Sequence, residues 1–264
     1  MPTPVTHLVI AHNILNARPE LIPDNDASAR AAFLLGSTLA DVRVLTGAPR
    51  AATHFLGLPP SRGDSGIRAL LRAYPQLANL DGAGRCTRLM VAGYLAHLLA
   101  DEIWLMRIFW PHFRRRNGCD ETECLLRHDL LRSEMDQRDR LAAPRDSRRV
   151  LESARCASPF PFISDGDVEA WRQLLVRELE SPDSSPTFAH FASRHRLPLA
   201  DFVALLRSPE YMERVRRMVP DGALERFHSE AAGRGGALVA AYLVGRVREF
   251  PLLSLDPDNL QPYV

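Results

Sequence analysis

Residues 88–113 read RLMVAGYLAHLLADEIWLMRIFWPHF, and this stretch indicates the fold class. Apolar residues lie on every side of the helix that it predicts, which is typical of a helix buried in a protein core. Two polar residues, His97 and Asp101, interrupt it one helical turn apart. Because an unpaired carboxylate or imidazole is costly to bury, these two side chains need a strong partner.

The spacing of His97 and Asp101 suits a shared ligand, since residues four apart project side by side from a helix. We interpret the pair as ligands of a divalent metal ion. The spacing leaves open a simple buried hydrogen bond between the two side chains. A membrane span is another alternative, because residues 91–110 have the length of about 20 residues that a bilayer requires. Asp101, Glu102 and Arg107 argue against it, since charges near the bilayer midplane are costly.

The composition is that of an ordinary globular protein. Of the 264 residues, 46% are hydrophobic and 25% are charged, which predicts a substantial core, most simply in one domain covering residues 1–264. The 33 basic and 32 acidic residues give a net charge of +1. Such a balance creates no overall field to attract nucleic acid, and the sequence gives no specific evidence of a nucleic-acid partner.

The cysteines and the N-terminus bear on location. The four cysteines have no CxxC spacing, so we expect reduced thiols rather than a zinc ribbon at Cys86, Cys119, Cys124 and Cys156. A secretory signal has a basic segment, then an apolar segment, then a cleavage site of small residues. The first residues, MPTPVTHLVIAHNIL, do not follow this order. We therefore expect a cytoplasmic protein without a transmembrane segment.

Helical periodicity dominates the remaining sequence. It predicts helices at 5–17, 27–41, 67–74, 121–140, 167–179, 187–194, 199–206, 209–218 and 224–249. No run of alternating β-branched residues predicts a sheet, so the expected fold class is all-α. Residues 46–66 are rich in proline and glycine and predict a loop. Residues 156–166 contain two prolines and mark a boundary between a metal-binding helical core, 1–155, and additional helices packing on it, 156–264.

Candidate metal ligands that could join His97 and Asp101 lie earlier in the sequence. Asp41 ends FLLGSTLAD, where a carboxylate at a helix C-terminus is unfavourable unless a cation compensates. We interpret it as a ligand, and a solvated aspartate capping the next turn is the alternative. His54, in a loop that reads ATHFLG, and His7, beside apolar residues, are each a ligand or an ordinary histidine. His12 projects from another side of the His7 helix and is less favoured.

Together these residues resemble the zinc-dependent phospholipase C and P1-type nuclease superfamily. The likeness rests on MPTPVTHL, FLLGSTLAD, THF, GYLAHLLADEIW and FWPHF, in that order, within residues 1–140. It implies a multi-helix all-α bundle around a buried cluster of up to three zinc ions that hydrolyses phosphoester bonds. Matched to the family pattern, one metal is held by Asp41, His54, His97 and Asp101.

The resemblance also implies that Asp101 can bridge to a second ion and that His7 helps to hold another. Secreted members use a processed N-terminal residue as a ligand, and no processing signal is seen here. The family motif HxxxE is replaced by His128 and Arg132, and an additional family histidine by Arg107. We expect one well-formed site and a looser second one using His7, Asp101 or His128, with one or two zinc ions rather than three. Manganese and iron are alternatives.

The resulting functional expectation is a metal-dependent hydrolase. Zinc held by imidazole and carboxylate lowers the pKa of bound water to about 7, and Asp41 and Asp101 are the expected catalytic residues. The expected substrate is a small-molecule or lipid-like phosphoester. Two alternatives remain. One is an HD-type metal phosphohydrolase built on His128 and Asp129, and the other is a non-catalytic helical scaffold or binding protein with a structural or vestigial metal site.

Overall fold

A computed structural model describes residues 1–23, 26–114, 120–180, 186–256 and 262–263 of the chain. This described part is helical and contains no β-strand, which confirms the predicted all-α class. Its first eight α-helices are α1 (Pro4–Ala17), α2 (Ala27–Gly36), α3 (Arg43–Thr46), α4 (Arg50–His54), α5 (Gly66–Ala73), α6 (Arg85–Trp104), α7 (Glu121–Ala142) and α8 (Ser147–Ser153). The remaining five are α9 (Asp165–Glu180), α10 (Pro186–Arg194), α11 (Leu199–Arg207), α12 (Pro209–Arg216) and α13 (Ala223–Leu243).

The central helix is buried as its sequence predicts. Every residue of α6 from Leu89 to Trp104 is buried, and a π-helical segment, Leu105–Arg114, continues it. Among the described residues, the helical stretch Arg85–Arg114 is long and apolar enough to cross a bilayer. Its most hydrophobic 18 residues are completely buried inside the protein. α2 and α13 pack on α6, and α1 packs on α13 and α7. One apolar core therefore draws on both halves of the chain.

Two glycines allow α2 and α6 to cross closely. A Cβ atom on Gly36 would lie 2.1 Å from the Met90 carbonyl oxygen, and one on Gly93 would lie 2.3 Å from the Phe33 carbonyl oxygen. These distances are shorter than contacts between real atoms, so a side chain at either position would force the helices apart. The crossing places the end of α2 directly against the middle of α6.

Several predicted boundaries were wrong. α2 ends at Gly36 rather than at residue 41, and a 3₁₀ turn, Leu39–Val42, follows it. The hydroxyl groups of Ser37 and Thr38 donate back to the carbonyls three residues earlier, at 2.7 and 2.9 Å, and such bonds compete with helix continuation. α13 ends at Leu243 rather than at residue 249, because Gly245 adopts a positive φ of 75°.

The cysteines do not all match the expectation of reduced thiols. Cys124 is disulfide-bonded, whereas Cys86 and Cys156 are free thiols; Cys119 lies outside the described residues. Disulfides persist mainly in oxidising compartments. The cytoplasmic location predicted from the sequence therefore stays a prediction without structural support.

α7 buries charges that its sequence pattern assigns to solvent. Asp136 is fully buried and accepts a hydrogen bond from Arg140 Nε at 2.6 Å. The Arg140 guanidinium also pairs with the carboxylate of Glu178, which is fully buried as well. One cation thus serves two carboxylates. Burial raises the pKa of Asp136 to about 6, although Arg140 opposes this rise.

Replacing Asp136 with asparagine is expected to remove a pH dependence of stability. Between pH 3.8 and about 6 the folded chain retains a proton on Asp136 that the unfolded chain releases, so the free energy of unfolding falls as pH rises. The full effect is about 3 kcal/mol. Urea denaturation from pH 4 to 7 measures it. Asp136→Asn should lose this slope and Asp221→Asn, at an exposed position, should keep it; equal slopes in both variants would contradict the prediction.

Candidate metal site

Four separate elements bring five nominated residues together. α1 supplies His7, the 3₁₀ turn supplies Asp41, α4 supplies His54, and α6 supplies His97 and Asp101. They form two overlapping groups, His7 with His97 and Asp101, and Asp41 with His54 and His97. Within each group the ligand atoms lie within 4.8 Å of one another. We refer to these five residues as the ligand cluster.

His54 lies at the centre of the ligand cluster. Its Nε2 atom is 3.4 Å from Asp41 Oδ1, 3.3 Å from Asp101 Oδ2 and 3.4 Å from His97 Nε2. On the other side, His7 Nε2 is 3.4 Å from Asp101 Oδ1. Asp41 is 15% exposed, whereas the other four side chains are at most 3% exposed. The cluster is therefore a buried set of nitrogen and oxygen donors with one edge open.

The backbone of the residue that follows α2 orients His97. His97 Nδ1 lies 2.9 Å from the Ser37 carbonyl oxygen. A carbonyl only accepts, so Nδ1 carries the hydrogen and, in the neutral ring, Nε2 presents its lone pair to the cluster. The His7 ring stacks on His97 at 3.8 Å between centroids and 17° between planes. The close crossing of α2 and α6 is what allows the Ser37 carbonyl to reach this ring.

Two imidazoles of the ligand cluster, those of His54 and His97, are held in the neutral form. Burial lowers the pKa of His97 to about 3, and burial followed by the charge of Arg50 lowers the pKa of His54. Both rings are therefore neutral at pH 7. Metal coordination requires neutral imidazole and ionised carboxylate, so this protonation state suits a cation.

Arg50 is a functional neighbour that sequence reasoning missed. Its Nη2 atom lies 2.5 Å from Asp101 Oδ2. Burial alone would raise the pKa of Asp101, but Arg50 and the His7 contact hold it well below its usual range. Arg50 begins α4, in a segment whose prolines and glycines predict a loop, so neither its helix nor its target was visible in the sequence. His54 accordingly ends a short helix and is not a loop residue.

Two atoms of the ligand cluster lack hydrogen-bond partners. His7 Nε2 and Asp101 Oδ1 are buried, and neither forms a hydrogen bond with the residues that the structure describes. Buried polar atoms are rarely left unsatisfied, and each exception calls for an explanation such as an ion. The two atoms face each other at 3.4 Å, and a cation bound beside both would satisfy them, so the residues present fit a divalent metal.

His128 lies outside both groups of ligand atoms. Its Nε2 atom accepts a hydrogen bond from Trp104 Nε1 at 3.0 Å, and its Nδ1 atom is 3.5 Å from Asp129 Oδ1. Asp129 is fully buried, and it pairs with Arg132 and His195. The sixth nominated ligand is therefore placed in a separate hydrogen-bonded network.

A cavity of about 730 Å³ opens at the exposed edge of the ligand cluster. Asp41 and Arg50 belong to its lining, which connects the cluster with the cavity. Residues of α7 and α10 line another part, including His128 and Arg132. A ligand in this cavity can reach the cluster at the Asp41 edge.

No protein-family model matches this sequence, and comparison with curated proteins and with solved structures finds no significant relative. The likeness to the phospholipase C and P1 nuclease superfamily thus rests on the quoted sequence motifs alone. The function has to be argued from the geometry and chemistry of the ligand cluster.

Proposed function

We propose that this protein is a metal-dependent hydrolase whose ligand cluster holds one or two divalent ions and whose substrate is a phosphoester. The observation that carries the proposal is the convergence of three imidazoles and two carboxylates beside a cavity, with two of their buried polar atoms unsatisfied. The phosphoester part, and a phospholipase C-like fold, come from the sequence resemblance.

The donor set favours zinc. Three imidazoles and two carboxylates are mixed nitrogen and oxygen donors, which suit zinc and also admit manganese or iron. When bound, such an ion makes water a nucleophile at neutral pH and offsets negative charge on the substrate.

The protein's own residues then prepare the site. The Ser37 carbonyl fixes the His97 tautomer, and Arg50 keeps Asp101 ionised and in place. Burial alone would raise the pKa of Asp41, but His54, through its hydrogen bond, and the neighbouring His97 together lower it, so its carboxylate is ionised at neutral pH. Because Asp41 is the partly exposed member of the cluster, it is the carboxylate best placed to accept a hydrogen bond from a reacting water.

The two alternatives receive less support. An HD-type site would use His128 and Asp129 as ligands, but Trp104 donates to His128 Nε2, and His195 Nε2 lies 2.8 Å from Asp129 Oδ2. A purely structural metal site is closed by its protein ligands, whereas an edge of this cluster faces a cavity.

Metal content tests the proposal. Protein purified without added metal is expected to carry about one equivalent or more of zinc, manganese or iron by elemental analysis. His97→Gln and Asp101→Asn should each lower that content at least about tenfold, because each removes a ligand from a buried site. His128→Gln is the matched control and should retain the metal. Equal metal content in all four proteins would contradict the assignment of the cluster.

Activity is a separate measurement. We expect the metal-loaded protein to hydrolyse an aryl phosphoester and to lose this activity on chelation and in Asp41→Asn. A protein that binds metal at the cluster but hydrolyses neither phosphate monoesters nor diesters would favour the scaffold alternative.

A further inference from the structure

The charges that line the cavity are strongly unequal. Four arginines line it, Arg43, Arg50, Arg132 and Arg194, and we call them the cavity arginines. Asp41 is the carboxylate of that lining, and it already belongs to the ligand cluster. A cleft whose walls carry one sign of charge concentrates ligands of the opposite sign. The occupant favoured by this cavity is therefore an anion.

Arg132 is built into the wall of the cavity. It is 6% exposed, its Nη2 atom donates to Asp129, and its Nη1 atom donates to the Met1 carbonyl oxygen at 2.6 Å. Its guanidinium carbon lies 4.2 Å from the centroid of the Phe191 ring. These contacts fix the plane of the guanidinium, and a fixed guanidinium loses little entropy when it binds an oxyanion.

Asp129 does not neutralise this wall. Besides its bond from Arg132, it lies 3.7 Å from Arg194 Nη1. One carboxylate is thus shared by two guanidinium groups, with His195 bonded to it as well. An excess of positive charge is left where Arg132 and Arg194 face the cavity.

Three of the cavity arginines retain an unsatisfied donor. The Nε atoms of Arg43, Arg50 and Arg132 are buried and have no hydrogen-bond partner among the described residues. Buried donors without acceptors are costly. A phosphate or sulfate group offers several acceptor oxygens in the geometry that guanidinium groups bind well.

We propose that the cavity arginines form a subsite for a tetrahedral oxyanion, a phosphate or sulfate group, separate from the metal ligands. The cavity is larger than such an ion, and Leu58, Phe109 and Leu174 in its lining supply apolar surface for an attached organic group. This inference deepens the proposed function by naming the residues that hold the anionic part of the substrate. Arg50 also pairs with Asp101 of the ligand cluster, but none of the cavity arginines is a metal ligand, so we expect the subsite to bind its anion without metal.

The test is calorimetric titration of the full chain, as purified and after chelation, with inorganic phosphate, sulfate and phenyl phosphate. We expect saturable binding in both forms, with phenyl phosphate the tightest. Arg43→Gln and Arg194→Gln should each weaken phosphate binding about tenfold, as expected for loss of a charge-assisted hydrogen bond. Arg217→Gln, at a side chain that is 76% exposed and paired with Glu213, is the matched control.

Arg132→Lys provides a second readout, since it keeps the charge and removes the planar fork. With an unchanged circular dichroism spectrum, it should still weaken phosphate binding. Equal affinity in the variants and the control, or no saturable binding to chelated protein, would overturn the subsite. Oxyanion binding without any hydrolysis would support the subsite but contradict the proposed hydrolase function. Hydrolysis by the original protein, with unchanged phosphate binding in Arg43→Gln and Arg194→Gln, would support the hydrolase function but contradict the subsite.

Discussion

Gly93→Ala is expected to destabilise the protein by about 3 kcal/mol or more. The new Cβ atom would lie 2.3 Å from the Phe33 carbonyl oxygen and 2.7 Å from the Ser37 backbone nitrogen. Both are backbone atoms at the end of α2, so no side-chain rotation relieves the contact, and α2 must move away from α6. Thermal and urea unfolding at pH 7 measure the loss.

The same substitution should disturb the ligand cluster. Moving the end of α2 moves the Ser37 carbonyl that orients His97, so metal content is expected to fall together with stability. Gly233→Ala is the matched control, because Gly233 lies within α13 and a Cβ there meets no atom within 4 Å. It should gain about 0.5 to 1 kcal/mol from better helix propensity. Equal unfolding temperatures of the two variants would refute the close crossing.

The central helix and its polar pair were predictable because their signal is local. A helix that is apolar on every side is stable in a water-soluble protein only when it is buried, and α6 is buried as expected. His97 and Asp101 share one helix, so their separation follows from helical geometry. The approach of His7, Asp41 and His54 depends on how four elements pack. The sequence nominated these three by residue type and family resemblance, without a physical account of how they meet.

Asp41 was predicted to be a metal ligand from a helix boundary that proved wrong. The sequence pattern predicted that Asp41 ends a long helix, but α2 ends at Gly36 and Asp41 lies in the following 3₁₀ turn. Its carboxylate contacts His54 there, with Nε2 3.4 Å from Asp41 Oδ1. Arg50 gave no signal at all, since α4 lacks a side-chain cap at its N-terminus and lies among prolines and glycines.

The charged pattern of α7 was the most misleading. Periodicity assigns charged residues to solvent, yet Asp129, Asp136 and Asp139 are all buried. Two of them pair with histidines that are distant in sequence. His195 contacts Asp129, and His228 Nε2 lies 3.2 Å from Asp139 Oδ1. The His195 side chain is itself only 6% exposed. Such pairings are tertiary contacts, and one helix read by itself does not contain them.

Arg140→Met is expected to cost about 3 to 5 kcal/mol at neutral pH, the loss typical of breaking a buried ion pair from one side. The Arg140 side chain is 7% exposed and binds the carboxylates of Asp136 and Glu178, both fully buried. It also donates to the Glu178 backbone carbonyl, which joins α7 to α9. Methionine fills similar space but removes the cation that these two buried carboxylates share. Chemical denaturation at pH 7 measures the loss.

A control variant and the pH dependence test whether uncompensated buried charge causes the loss of stability in Arg140→Met. Arg217→Met removes an arginine that is 76% exposed beside Glu213 and should change stability by no more than about 1 kcal/mol. In Arg140→Met the buried carboxylates hold protons more tightly in the folded chain than in the unfolded chain. The variant therefore recovers stability as pH falls, and its deficit relative to the original protein should shrink from pH 8 to pH 5. A deficit independent of pH would mean that lost packing, rather than uncompensated charge, destabilises the variant.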